Sequence, residues 1–215
     1  MQLNWDSSGT QHGTYSSIPT SAIQQLNQTW VQNHNAASYF NGSELVSGGN
    51  NQYGSAWVST LQTISTFHAS FDFEFGGNAS AQGLTFCIQN TGTSAVGSSG
   101  GGYGYAGISN SAALVIGLSN KTGVSTGGGT PSPGNSTSPV DMTTGDLMHC
   151  TLSYSGTTLN MTITDQITGN TFSKSYTVNI PSAVGASTAY VGFTASTSSN
   201  GNNCQAYVAN LNFGP

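Results

Sequence analysis

Apolar and polar residues alternate along much of this chain, most strongly between residues 147 and 197. Residues 147–154 form a mixed apolar run closed by a Ser155-Gly156 turn, after which Leu159, Met161 and Ile163 recur at period two. Residues 165–170 make a second reversal. Phe172, Tyr176, Val178 and Ile180 then resume the strand pattern until Pro181 stops it, and residues 189–197 complete the series. Successive strand side chains point to opposite faces of a sheet, so period-two alternation with Gly, Asn and Asp at the reversals predicts an antiparallel meander.

The first half repeats the pattern more sparsely. Phe67, Ala69, Phe71, Phe73 and Phe75 share one face of a strand over 67–75, and a strand over 84–89 follows the Gly76-Gly77-Asn78 turn. Upstream, residues 37–40 and 44–46 flank an Asn41-Gly42 turn, and residues 53–61 read as a strand around Ala56-Trp57-Val58. Residues 112–118 are an apolar strand. On either side of it lie a glycine-rich loop over 91–107 and a Gly/Ser/Pro loop over 119–139. Loops of this length are uncommon inside a compact domain and are often functional. Residues 1–37 read as a polar N-terminal extension whose one helix candidate is 21–32, and residues 38–215 as a single all-β sandwich of jelly-roll type without repeats.

Composition adds one anomaly. Only two residues are Lys or Arg and seven are Asp or Glu, 4% of the chain, where a soluble domain usually carries about a quarter charged residues. Ser, Thr, Asn, Gln and Gly must therefore make the surface. Such a surface changes charge little with pH and lacks the repulsion that keeps molecules apart, which favours self-association or a glycan coat. Two lysines cannot neutralise a row of phosphates, so nucleic acid is excluded as a partner. No apolar run approaches the length of a membrane helix. Residues 1–6 lack the basic and apolar segments of a leader, so a mature secreted chain is expected, its leader removed or replaced by Met1. Six sequons, at Asn27, Asn41, Asn78, Asn120, Asn135 and Asn160, fit a secreted glycoprotein, although a chain this rich in Asn, Ser and Thr generates sequons by chance. Cys87, Cys150 and Cys204 allow at most one internal disulfide and match no metal-site spacing.

Gly54-Ser55-Ala56-Trp57, the strand over 71–75, Gly83-Leu84-Thr85-Phe86, the glycine loop and the run from Tyr154 to Ala195 occur in an order that resembles the legume-type (L-type) lectins, in their bacterial secreted branch. The resemblance covers roughly residues 38–213 and implies a concanavalin-like sandwich. It also implies a sugar site in which an Asp, a loop glycine N–H and an Asn hold a pair of hydroxyls, with calcium fixing their geometry. The turn matching the family's Ala-Asp-Gly is Ala81-Gln82-Gly83, which replaces the carboxylate by an amide. Gln82 still bonds hydroxyls through its oxygen and nitrogen, without the charge-assisted bond that is roughly twice as strong. Where the resemblance places metal-binding carboxylates, this chain has Val115 and Gly117, so no metal or other cofactor is expected. Gly102 matches the loop glycine, Tyr103 and Tyr105 are candidates to stack on a pyranose face or simply to cap the sandwich, and Asn120 is the nearest candidate for the sugar-binding Asn.

Asp72 and Glu74 form a second constellation. Period two puts both carboxylates on one strand face about 6–7 Å apart, near the spacing glycosidases use. A solvated outer face opposite the phenylalanines is the simpler reading. His68 shares that face, open to a metal or proton-relay role, whereas His12, His34 and His149 look scattered. Three functions follow: a secreted, metal-independent, weak binder of neutral glycan that is not an enzyme; a structural subunit of an extracellular filament or surface layer whose partners are copies of itself; and a glucanase-like glycosidase using Asp72 and Glu74.

Overall fold

The computed structural model describes residues 3–5, 11–14, 29–39, 42–77, 81–199 and 204–215. Strands β1 (Leu3–Trp5) and β2 (Gln11–Thr14) pair as a ribbon. There follow β3 (Trp30–His34), β4 (Ala37–Tyr39), β5 (Gly42–Ser47), β6 (Tyr53–Val58), β7 (Gln62–Thr63), β8 (Thr66–Gly77) and β9 (Ala81–Gln89). Next come β10 (Ser111–Gly117), β11 (Lys121–Thr126), β12 (Asn135–Ser136), β13 (Met148–Ser155), β14 (Thr158–Asp165) and β15 (Thr171–Thr177). The short helix α1 (Ile180–Val184), β16 (Thr188–Thr197) and β17 (Cys204–Gly214) complete the chain.

Two antiparallel sheets face each other. One runs β12-β11-β10-β9-β16-β6-β3, with β7 added on β16; the other runs β15-β14-β13-β8-β17-β5-β4. Three strands of the expected meander are present as β13-β14-β15, but its last run, β16, crosses to the first sheet between β9 and β6; β8 is paired to β13 in register from Met148↔Phe73 to Ser155↔Thr66. Its phenylalanine face supplies the core: the Phe71 ring stacks on Phe86 at 5.6 Å and meets Phe193 edge-on at 4.8 Å, bridging the two sheets. Aromatic pairs in these arrangements add about 0.5–1.5 kcal/mol beyond the area they bury.

Several expectations are corrected. Trp30–His34 is a strand paired with β6, not the end of a helix, because its residues complete a sheet edge that local pattern does not show. The sheet therefore begins upstream of residue 38. The chain over 119–139 holds β11 and β12 rather than loop alone; they are short and mostly polar, and pairing of β11 with β10 and of β12 with β11 stabilises them. Ile180 belongs to α1 and not to a strand. Asn179 caps that helix by accepting from Ser182 N–H at 3.0 Å, Pro181 occupies its first turn, and Gly185 ends it at φ +76°. Cys87, Cys150 and Cys204 are buried, and no disulfide joins them. Burial pushes the thiols of Cys87 and Cys150 up.

The outer face of the first sheet carries a second, smaller core. Trp57, Cys87 and Ala113 point outward from it and are covered by Ala95, Tyr105 and Ile108 of the glycine-rich segment. Ala95 C=O accepts from Trp57 Nε1–H at 2.8 Å and from the Ser55 hydroxyl at 2.7 Å. The segment turns sharply at Gly104, whose φ of +67° and closeness to the Ala195 backbone exclude a side chain.

Candidate functional site

The end of the sandwich where β9 meets β10 gathers most of the residues singled out above. Gly83 pairs with Gly117, and Gln82 C=O accepts from Leu118 N–H at 3.1 Å. The Tyr103 hydroxyl sits 3.0 Å from where a Cβ on Gly117 would lie. Thr194 Oγ1–H donates to Tyr103 C=O at 2.8 Å, fixing the loop on β16. Asn120 follows at φ +59° in the turn between β10 and β11. Gln82, Tyr103 and Asn120 thus lie around Gly117, while Gly102 packs against Ser98 and Ala106 of its own loop.

Their availability differs from expectation. Gly102 is buried and its N–H donates to Ser99 C=O at 3.1 Å, so it offers no donor to a hydroxyl. Tyr103 is only 5% exposed and presents no ring face for a pyranose; burial raises its hydroxyl pKa. Tyr105 is not at this end at all. It lies fully buried in the second core, its hydroxyl 2.8 Å from Ser111 Oγ and accepting from Gly128 N–H at 3.1 Å. Both tyrosines therefore anchor the loop instead of stacking on sugar. Asn120 donates from Nδ2 to Asp141 Oδ1 at 2.9 Å and accepts Met142 N–H at 2.7 Å, a structural latch on the following turn. The side chain of Gln82 is half-buried and makes no hydrogen bond to the described residues.

The residues present do not fit the calcium that the resemblance implies. Val115 and Gly117 bring no side-chain oxygen, and Asp141 Oδ1 is occupied by Asn120 and by the N–H and hydroxyl of Thr143. Those bonds hold the Asp141 carboxyl below the usual carboxylate range. Among the described residues no three His, Cys, Asp or Glu side chains come together to hold an ion.

Asp72 and Glu74 lie on the outer face of the second sheet, and neither is a free catalytic carboxylate. Glu74 is buried beside Tyr207, its cross-strand neighbour. Asp72 spends both oxygens, one 2.6 Å from His149 Nδ1 and the other accepting from Asn210 Nδ2 at 2.7 Å. His149 stands directly opposite Asp72 in the β8–β13 register. Sequence reading set His149 aside as scattered and missed Asn210, since only strand register brings these residues together.

Of the sequons, Asn27, Asn41 and Asn78 lie outside the described residues. Asn135 donates to Thr122 C=O at 3.2 Å, and Asn160 is exposed on β14, accepting from the Ser175 hydroxyl at 2.6 Å.

The fold is that of the legume lectins. Arcelin-5, a lectin-like defense protein from Phaseolus vulgaris, superposes with a TM-score of 0.73 at 17% identity, over 87% of this chain and 92% of that one. Metal-free lectin I-B4 from Griffonia simplicifolia gives 0.73 at 16% identity, over 89% and 94%. The Bauhinia forficata lectin in complex with GalNAc gives 0.70 at 16% identity, over 89% and 93%. No protein-family profile matches the chain, and no curated protein matches its sequence. Identities this low establish architecture and leave ligand chemistry to the residues themselves.

Proposed function

We propose that this chain is a lectin-like domain, acting outside the cell, that binds neutral glycan weakly and without metal. The observation that carries the reading is the half-buried amide of Gln82, which no other described residue bonds, at the position where the resemblance places a carboxylate. An amide donates to one sugar hydroxyl and accepts from another. It forgoes charge assistance, so each bond is weaker, and it needs no cation to balance it. The lectin sandwich and the scarcity of charge agree with a neutral, polyhydroxylated ligand. An array of neutral glycans, probed with and without EDTA, tests this. Binding that survives chelation is expected; no binding, or binding abolished by EDTA, overturns it.

A structural subunit is the second reading, favoured by the open edge of the second sheet. Among the described residues β15 has no strand beyond it, and it lines its outer side with Thr171, Ser173, Ser175 and Thr177. An unpaired strand edge is a template for pairing with another chain. Light scattering of the full chain and of a chain lacking residues 1–26 tests it. Assembly lost on deletion, with the sandwich still folded, supports the structural role; an unchanged oligomer opposes it.

A further inference from the structure

The outer face of the second sheet is polar along every strand of its β8-β13-β14-β15 half. Side chains opposite one another run Ser70-Thr151-Thr162-Ser173 in one row and Asp72-His149-Thr164-Thr171 in the next. No Lys or Arg points out of these rows; Lys174 pairs with Met161 in the inward-facing register. At the β17 edge of this half the surface is indented. Between Ala209 and Asn212 the β17 strand carries an extra residue relative to β8, and Asn210 takes the left-handed conformation at φ +56°. A bulge of this kind bends its strand and re-aims side chains. Beside it lies a depression of about 320 Å³ lined by His68, Ser70, Thr151, Asn212, Gly214 and Pro215.

The chemistry of this depression is specific. The side chains of His68, Ser70, Thr151 and Asn212 make no hydrogen bond to other described residues, so their donors and acceptors face solvent. Next to Thr151 on the same face of β13 stands His149. Asp72 accepts its Nδ1–H at 2.6 Å, and Asn210 in turn holds the other Asp72 oxygen. A carboxylate on Nδ1 fixes the imidazole orientation and leaves Nε2 for another partner. Hydroxyls, a carboxamide and an imidazole nitrogen suit sugar hydroxyls, which both donate and accept. No Lys or Arg lines the depression, so it carries no fixed positive charge for an anion. The His68 ring and Pro215 supply apolar walls against which the C–H face of a pyranose can lie, and the volume falls at the small end of ligand sites.

From this geometry we infer a second saccharide site, on the outer face of the second sheet, that takes one hexopyranose residue of a neutral glycan. The inference rests on the reading that the chain's ligand is neutral glycan, but places contact on the other sheet from Gln82. The test is chemical-shift mapping of the isotopically labelled full chain against methyl glycosides of galactose, N-acetylgalactosamine, fucose, glucose and mannose. At least one should move the backbone amides of Thr151, Asn210 and Asn212 and the His149 ring. Thr151→Val and Asn212→Ala are surface changes whose folding is checked by circular dichroism. Each should weaken that binding roughly fivefold, the worth of one hydrogen bond, while Gln82→Ala leaves it unchanged. Shifts confined to Gln82, Gly83 and their neighbours would overturn the second site and leave the proposed function standing. Absence of shifts anywhere would remove both.

Discussion

The outer faces of the two sheets have opposite fates. The first is roofed by the chain's own glycine-rich segment, so its Trp57, Ser55 and Gln89 are bonded to Ala95, Thr91 and Gly92. Over its β8-β13-β14-β15 half the second is covered by no described segment, and the hydroxyls of Ser70 and Thr151 there bond no other described residue. A lectin sandwich that folds a loop onto one face commits the polar groups there to stability. The face it leaves bare keeps them for a ligand or a neighbour.

That contrast has graded consequences. Both faces share one core, so Phe71→Ala should destabilise the domain by about 3–5 kcal/mol, with both faces lost in a single urea transition. The roofed face should be sensitive to a single atom. Tyr105→Phe leaves Gly128 N–H and Ser111 short of a partner, and should cost about 1–3 kcal/mol while speeding hydrogen exchange across residues 95–107. A smaller effect is expected at the latch beside Gln82. Because the Asp141 pKa lies below its ordinary 3.8, its contribution is present above that value and is lost as pH falls through the folded value. Asn120→Ala should raise that pKa, read by carboxyl NMR titration, and shift the acid end of the stability profile only slightly, since Asp141 is exposed. Smallest of all, Thr162→Ala on the open face, which loses its contact with Ser173 at 2.8 Å, should change stability by no more than about 0.5 kcal/mol. A large loss there would mean that the open face is structural after all.

What could be read from the sequence follows the same division. β8, β13 and β14 are legible because one side of each is buried and, apart from Asp165 at the end of β14, apolar, so burial writes itself into period two. β11 is not, since Val124 is its one large apolar residue and its partner strand holds it. The α1 segment misled through Val178 and Ile180, although Asn179, Pro181 and Gly185 carried the cap, first turn and stop of a helix. For the candidate site, the clustering of Gln82, Tyr103 and Asn120 was legible through the resemblance; that Tyr103 and Tyr105 point inward was not, because a loop sequence does not say which face it covers. The Asp72–His149 pair spans 77 residues and depends on register alone.

The most direct test of the account is calorimetric titration of the full chain with the best neutral glycan from the array, before and after exhaustive chelation. The account predicts weak binding with the same Kd in both. Binding that vanishes on chelation and returns with calcium, or no heat with any neutral glycan, would contradict it.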